Sequence, residues 1–188
     1  SSEETVLVVG IGHGHDTLVA LADNYAARIV GVDPYFSAQG NDDADYLALT
    51  GTATRLNFGN RLVVEKMIIE EYLAETQQTF DRIVCNDVLH HIFESTQRLS
   101  EVKSGDLAIK LFAQLRAVCR PGGTLVICEV GRWGLRQVLG RSGILGGNVD
   151  YRSKQGWRVW RSLARTAGWD PISIRTYVPY PLRKYRAA

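Results

Sequence analysis

The segment Gly10-Ile-Gly-His-Gly14 follows a run of apolar and β-branched residues near the start of the chain. Glycine lets a backbone turn tightly and approach a ligand closely, because it has no Cβ. A second apolar run, Arg28–Val32, is followed by Asp33, 19 residues after Gly14. A carboxylate in that position can accept hydrogen bonds from both hydroxyls of a ribose. Together these features predict a site for a ligand that contains a nucleoside; the alternative is a tight turn and an acid without a ligand.

The four histidines form two closely spaced pairs, His13 with His15 and His90 with His91. Imidazole is the usual side chain for moving protons at neutral pH, so they are candidates for a general base. If the strands that precede the two pairs are neighbours, all four histidines gather at one crevice. The alternatives are that His90 and His91 only cap or pack a helix start, or that they bind a metal. We predict no metal site, because histidines in loops do not by themselves provide the compact ligand set of Zn²⁺.

The elements that position these residues are predicted from hydrophobic periodicity and turn signals. The predicted strands are Thr5–Val9, Arg28–Val32, Leu62–Ile69, Arg82–Asn86, Thr124–Val130 and Ile172–Val178. The predicted helices are Asp16–Tyr25 with Asp16 as N-cap, Asp42–Asn57, Leu107–Cys119 and Trp157–Ala167. A turn at Arg120-Pro-Gly-Gly123 is expected to end the third helix, and Gly168 the fourth. Alternating strands and helices indicate a parallel α/β sheet, which binds ligands at the carboxyl ends of its strands.

The composition indicates a single globular domain. Of 188 residues, 45% are hydrophobic, which excludes a disordered chain. No apolar run is long enough to span a membrane, and we expect no signal peptide. The three cysteines form no closely spaced pair, so we expect small core residues in a reducing compartment, with a cytoplasmic location.

Four motifs in this sequence resemble those of class I S-adenosylmethionine-dependent methyltransferases. They are Val6-Leu-Val-Val-Gly-Ile-Gly-His-Gly14, Gly31-Val-Asp-Pro34, Phe80-Asp-Arg-Ile-Val-Cys-Asn-Asp-Val-Leu-His-His-Ile92 and Arg120-Pro-Gly-Gly-Thr-Leu-Val-Ile127. The dinucleotide motif G-x-G-x-x-G would need glycine at position 15, where this chain has His15, so a nicotinamide oxidoreductase is the weakest alternative.

The resemblance implies a Rossmann-like, doubly wound α/β fold with helices on both faces. Its mostly parallel seven-stranded sheet would have the order 3-2-1-4-5-7-6. It also implies S-adenosyl-L-methionine as the cofactor. The cofactor-binding residues would be Gly10, Gly12, Gly14, Asp33, Pro34, Ile68 and Asn86. Two positions depart from the family pattern: Val8 replaces a frequent acid, and Met67-Ile68-Ile69 replaces an acid near the adenine.

The function expected from the resemblance is methyl transfer to a small molecule that could be anionic, with His91 or His90 as the base. The alternatives are an RNA methyltransferase and a non-catalytic or partner-dependent module that binds S-adenosylmethionine. The family usually has helices before strand 1, and here only about four residues precede it. A partner subunit or an upstream segment would then cover the site.

The charge of the chain is divided between its two parts. Residues 1–130 carry 10 basic and 18 acidic residues, a net charge of −8, whereas residues 131–188 carry 12 and 2, a net charge of +10. We interpret residues 1–188 as one methyltransferase domain with a cofactor-binding half and a basic, substrate-side half. Gly131–Gly156 is the candidate for a mobile lid. The basic half also holds all four tryptophans, which is the reason for the RNA alternative.

Overall fold

A computed structural model describes residues 3–23, 27–36, 41–93, 102–129 and 155–175, with the backbone alone at 102–104. Its strands are β1 (Glu4–Val9), β2 (Ala27–Val32), β3 (Leu62–Glu65), β4 (Phe80–Asn86) and β5 (Cys119–Cys128). Its helices are α1 (His15–Asp23), α2 (Asp43–Arg55), α3 (Ile69–Glu75), α4 (Leu89–Ile92), α5 (Val102–Ala117) and α6 (Trp157–Thr166).

The five strands form one parallel sheet with the order β3-β2-β1-β4-β5. This part of the predicted order is confirmed, and β1 lies at the centre between β2 and β4. For the rest of the seven-stranded prediction, residues 172–175 lie in no strand, and residues 176–178 lie outside the described residues. Because all strands run in the same direction, the residues that follow them meet at one edge of the sheet.

Helices cover both faces of the sheet. Successive side chains of β1 point to opposite faces, so they belong alternately to two apolar clusters. Val6 packs with Leu21 of α1 and Leu49 of α2 on one face. Leu7 packs with Phe112 of α5 on the other face, in the cluster that also contains residues of α3 and α6. The predicted α/β layering is therefore confirmed.

Three boundaries differ from the predictions. The third strand ends at Glu65, and Ile69 begins helix α3, because the apolar run that looks like one strand is divided between two elements. Helix α1 begins at His15, so Asp16 lies in its first turn and is not its N-cap.

The third difference is at Arg120-Pro-Gly-Gly123, where the predicted turn is a bulge within β5. Cys119 pairs with Phe80, and Thr124 pairs with Arg82, so four residues of β5 lie opposite one residue of β4. Gly122 has a φ of +80° in this bulge. The helix that precedes it ends earlier than predicted, at Ala117.

Helix α6 packs against the sheet-covering helix α5 through Trp160, Leu163 and Ala164, which are buried. Its end at Gly168 is confirmed: Gly168 has a φ of +88°, and the Trp169 N–H donates to the carbonyl of Ala164. This is the bond pattern of a Schellman motif. Each helix that the structure describes is too short or too polar to cross a bilayer.

Cysteine burial follows the prediction only in part. Cys85 is buried, Cys119 is half-buried, and Cys128 is exposed at the end of β5. Burial raises the pKa of the Cys85 thiol, and to a lesser extent so does the nearby Glu129 carboxylate. Cys85 is therefore a neutral core residue, as expected, whereas Cys128 is not part of the core.

Candidate functional site

The glycine loop connects β1 to α1 in a conformation that favours glycine. Gly10, Gly12 and Gly14 have φ values of +70°, +52° and +67°, in the left-handed region. The Gly10 N–H donates to the carbonyl of Val32 at the end of β2, and the Gly14 N–H donates to the carbonyl of Ile11. The loop therefore turns sharply at the carboxyl edge of the sheet.

Two of the three glycines are also required by close packing. A Cβ on Gly10 would lie 2.2 Å from Cγ2 of Val88, and one on Gly14 would lie 2.4 Å from Cδ1 of Leu49. At Gly12 the nearest side-chain atom is more distant, 3.3 Å away on Asn41. Gly10 thus lets the loop pack against Val88, just before α4, and Gly14 lets it pack against α2, whereas the Gly12 N–H contacts an acidic residue.

Asp33 connects the end of β2 to the glycine loop. Its side chain is buried; Oδ2 accepts a hydrogen bond from the Gly12 N–H at 3.0 Å, and Oδ1 accepts one from the Tyr35 N–H at 2.9 Å. A carboxylate offers about four acceptor positions, so capacity for further donors is left. The structure brings together the loop and the acid that the sequence singled out.

Two residues beside Asp33 were not among the site residues predicted from the sequence. Tyr35 donates its phenolic hydroxyl to the Gly12 carbonyl at 2.9 Å, and Asn41 Nδ2 lies 3.5 Å from Asp33 Oδ2. Burial and the Asp33 carboxylate raise the pKa of Tyr35 above its ordinary value, so its hydroxyl stays a donor. The available signal was the position of an aromatic residue two places after the strand-end acid.

The other predicted cofactor residues lie at or near strand ends. Pro34 is half-buried directly after Asp33, and Ile68 immediately precedes α3 with 37% of its surface exposed. Asn86 is the last residue of β4, and its Nδ2 donates to Oδ2 of Asp16 in α1 at 3.4 Å. They follow or end β2, β3 and β4 on the carboxyl side of the sheet, and their contact with a ligand stays a prediction.

The histidines form two ring pairs, each with its own carboxylate. The rings of His13 and His15 are stacked 5.9 Å apart, and His13 Nδ1 lies 3.1 Å from Asp45 Oδ1 of α2. The rings of His90 and His91 lie 4.0 Å apart, and His90 is buried whereas His91 is half-buried. The second pair belongs to the short helix α4, directly after β4.

Glu129, which sequence analysis missed, is the carboxylate partner of the second pair. Its Oε2 lies 2.9 Å from His90 Nδ1, and its Oε1 accepts a hydrogen bond from the Leu89 N–H at 2.6 Å. The two residues are 39 positions apart in the chain and meet because β4 and β5 are adjacent. The sequence does contain an indication of Glu129: it is an acidic residue at the end of an apolar strand, as Asp33 is.

Comparisons with known proteins agree on one kind of domain. Residues 1–173 match the sequence profile of a family described as "Methyltransferase domain". No curated protein sequence matches the chain at a significant level.

Several solved structures resemble the fold. The S-adenosylmethionine-dependent methyltransferase SibL in its apo form is 14% identical, with a TM-score of 0.64 over 94% of this chain and 48% of that one. A Nostoc punctiforme protein provisionally assigned as an O-methyltransferase is 14% identical, with a TM-score of 0.60 over 90% and 46%.

A third structure, coclaurine N-methyltransferase bound to N-methylheliamine and SAH, is 18% identical, with a TM-score of 0.50 over 68% and 31%. The chain thus spans less than half the length of each of these three proteins. At such identities the likeness shows the fold, a Rossmann-like α/β arrangement around a parallel sheet.

Proposed function

This chain belongs to the methyltransferase-domain family, and we propose that it transfers the methyl group of S-adenosylmethionine to a small-molecule acceptor. The observation that carries the proposal is the contact between Asp33 and the Gly12 N–H, which joins a strand-end acid to a glycine loop. In this proposal residues 1–188 form one domain, in which residues 1–130 bind the cofactor and residues 131–188 select the acceptor.

The residues at the carboxyl edge of the sheet fit S-adenosylmethionine, the cofactor of this family. Asp33 is buried and has acceptor capacity beyond its two backbone donors, which suits the two hydroxyls of a ribose. Among the described residues, the atom nearest to the missing Cβ of Gly12 is 3.3 Å away on the Asn41 side chain, so the backbone there can be approached more closely than at Gly10 or Gly14. When bound, the cofactor supplies an electrophilic methyl group on a positively charged sulfur.

The residues proposed to hold the cofactor follow from their places around this edge. Asp33 accepts the ribose hydroxyls, and the backbone of Gly10, Gly12 and Gly14 passes close to the ligand. Pro34 and Ile68 would contact the adenine side of the cofactor, and Asn86 its methionine end. Tyr35 supports the arrangement indirectly, because its hydroxyl holds the Gly12 carbonyl and its N–H holds Asp33.

His91 is the proposed general base, and His90 the second candidate. A hydroxyl or amine acceptor loses a proton around transfer, and a ring nitrogen of a positioned histidine can take it up. His91 is half-buried beside the ring of His90, so it is the more accessible of the two. His90 is buried with its Nδ1 towards Glu129, which suits a residue that positions its neighbour.

The described part of the basic segment supports a small molecule over RNA. Trp160 is buried against Phe112, and the indole N–H of Trp169 donates to the Phe112 carbonyl at 2.9 Å, so both indoles serve packing. Arg158 and Arg165 lie on the exposed side of α6, as expected for a solvated helix face. Stacking on nucleic-acid bases needs exposed aromatic rings, and among the described tryptophans the most exposed is Trp157, which lies beside Arg158.

Calorimetric titration tests the cofactor assignment. The protein is titrated with S-adenosylhomocysteine and, separately, with NAD. Binding of the first with one site per chain, and no binding of NAD, is the expected result. Binding of NAD alone would overturn the assignment.

Methyl transfer is then measured with S-adenosylmethionine and a panel of hydroxyl, amine and carboxylate acceptors, with single-stranded RNA as a further substrate. We expect turnover with a member of the small-molecule panel and none with RNA. Cofactor binding without turnover on any acceptor would favour a partner-dependent module, and turnover on RNA alone would reject the small-molecule proposal.

A further inference from the structure

Asp87, His90 and Glu129 form a cluster of possible metal ligands at the carboxyl ends of β4 and β5. One ligand atom from each residue lies within 4.8 Å of the other two. The side chains of His90 and Glu129 are almost fully buried, with 3% and 5% exposed, whereas that of Asp87 is 52% exposed. The cluster is therefore a preformed group with one side open to solvent.

Both carboxylates approach the same atom of the imidazole ring. His90 Nδ1 lies 2.9 Å from Glu129 Oε2 and 3.6 Å from Asp87 Oδ1. A single N–H can satisfy the nearer carboxylate, but 3.6 Å is too long for a hydrogen bond to the second. Hydrogen bonding to His90 thus accounts for the position of Glu129 and leaves that of Asp87 unexplained.

The backbone holds Asp87 in this place. Asp87 has a φ of +51°, and its N–H donates to the carbonyl of Cys128 at 2.7 Å, directly before Glu129. Glu129 is oriented by a second contact, because its Oε1 accepts the Leu89 N–H. Contacts of this kind fix the direction in which a metal ligand points.

We propose that Asp87, His90 and Glu129 bind a divalent cation that accepts mixed nitrogen and oxygen ligands, such as Mn²⁺ or Zn²⁺. Three protein ligands with one open side are the arrangement of metal sites that keep a position for water or another ligand. A cation at this point would lie near both carboxylates and offset their charge in a half of the chain that carries a net charge of −8. The proposal concerns binding alone and does not depend on the proposed methyl transfer.

Sequence analysis predicted no metal because it considered the histidines without carboxylates. Glu129 lies 39 residues from His90, and only strand pairing brings them together. The other described histidine–carboxylate pair, His13 with Asp45, has an exposed histidine and lacks a third ligand of this kind. It therefore provides a matched control.

The first experiment titrates Mn²⁺ into the metal-stripped full chain and follows free Mn²⁺ by electron paramagnetic resonance. Mn²⁺ is chosen because the exposed thiol of Cys128 prefers softer metals. One bound Mn²⁺ per chain is expected, displaced by Zn²⁺ in accordance with the usual order of affinities. Absence of binding, or a bound Mn²⁺ that Zn²⁺ does not displace, would overturn the proposal.

Conservative variants assign the ligands. Asp87→Asn, His90→Asn and Glu129→Gln should each weaken Mn²⁺ binding by about tenfold or more, whereas His13→Asn and Asp45→Asn should leave it unchanged. Asn tolerates the positive φ of position 87, and Gln can still accept the Leu89 N–H, so both variants should fold. Equal affinity in all five variants would reject the assignment.

A measurement on the unaltered protein does not depend on how the variants fold. Substoichiometric Mn²⁺ should broaden the NMR signals of the His90 ring more strongly than those of His13 and His15. Broadening of the His13 and His15 signals, with a sharp His90 signal, would place the ion elsewhere and contradict the proposal.

Discussion

Asp33 shows how a single side chain can serve both the fold and the proposed ligand. Each of its oxygens accepts a backbone N–H, one from Gly12 and one from Tyr35, and the bond from Gly12 connects the end of β2 to the loop after β1. A buried carboxylate that is only partly satisfied by the protein is costly unless further donors approach it. The proposed ribose hydroxyls would be such donors.

Replacement of this carboxylate should therefore affect cofactor binding. We expect Asp33→Ala to weaken binding of S-adenosylhomocysteine by more than about tenfold, since a hydrogen bond to a charged group contributes roughly 1.5–3 kcal/mol. Calorimetry measures the change. Asp43→Ala, an exposed carboxylate paired with Lys66, is the control and should bind as the unaltered protein does. Equal affinities of the Asp33 and Asp43 variants would show that Asp33 does not contact the cofactor.

If His91 is the general base, its replacement should lower the rate of turnover and leave cofactor binding unchanged. We expect His91→Asn to lower kcat by about 100-fold or more, while the affinity for S-adenosylhomocysteine stays the same. His15→Asn, an exposed histidine of the other pair, is the matched control and should retain kcat. Full activity of the His91 variant would show that His91 is not the base.

At the scale of elements, the glycine loop depends on two separate physical requirements. Gly10 has both a positive φ and a neighbour, Val88, within 2.2 Å of where a Cβ would lie. Gly122 has a positive φ, but no atom of the described residues lies within 4 Å of where its Cβ would be, and Gly59 has neither the positive φ nor such a neighbour. Alanine substitutions at these three positions therefore distinguish the cost of backbone strain from the cost of steric overlap.

Alanine substitutions at these glycines should lower the free energy of unfolding in that order. We expect a loss of about 2 kcal/mol or more for Gly10→Ala, about 1 kcal/mol for Gly122→Ala and less than about 0.5 kcal/mol for Gly59→Ala. Urea denaturation measures all three. A Gly10→Ala loss no larger than that of Gly122→Ala would mean that Val88 moves aside at little cost.

The boundary between β3 and α3 shows where the periodicity of apolar residues no longer distinguishes a strand from a helix. Met67-Ile68-Ile69 continues the apolar pattern of β3, yet Ile69 and Tyr72 are buried on one side of α3. A short apolar run fits a strand and a buried helix start equally well. Packing of Tyr72 in the core decides between them, and that contact is not local in sequence.

At the scale of the whole molecule, Asp81 connects three strands at the amino edge of the sheet. It accepts hydrogen bonds from the N–H and hydroxyl of Thr5 in β1 and from Arg120 in β5. The Thr5 N–H, then the bonds from Arg120 and the Thr5 hydroxyl, lower the pKa of Asp81 from 3.8 to about 2. This carboxylate lies at the edge opposite the candidate site.

The lowered pKa predicts the direction of a pH dependence. The charged form is favoured in the folded state, so its contribution is complete above about pH 4 and is lost as the pH falls towards about 2. Urea midpoints of the unaltered protein should therefore fall across this interval, and more steeply than those of Asp81→Asn. The exposed Asp106→Asn is the control and should keep the steep dependence. Identical slopes for all three proteins would contradict the assigned contacts.

The order of the strands was implied by the resemblance to class I S-adenosylmethionine-dependent methyltransferases; the sequence by itself determined the approximate positions of the first five strands, the glycine loop and the strand-end acid Asp33. It could do so because alternating patterns, glycines and a residue that closes a strand are local features, readable without knowing what lies opposite. The same reasoning placed His90 and His91 directly after β4, where the structure has them.

Only the tertiary structure decided which residues meet. Glu129 reaches His90 and Leu89, and Tyr35 reaches Gly12, because parallel strands deliver distant parts of the chain to one edge of the sheet. The division of an apolar run between β3 and α3 and the bulge at Gly122 were decided in the same way. Side-chain contacts across strands depend on register and packing, which a single sequence does not encode position by position.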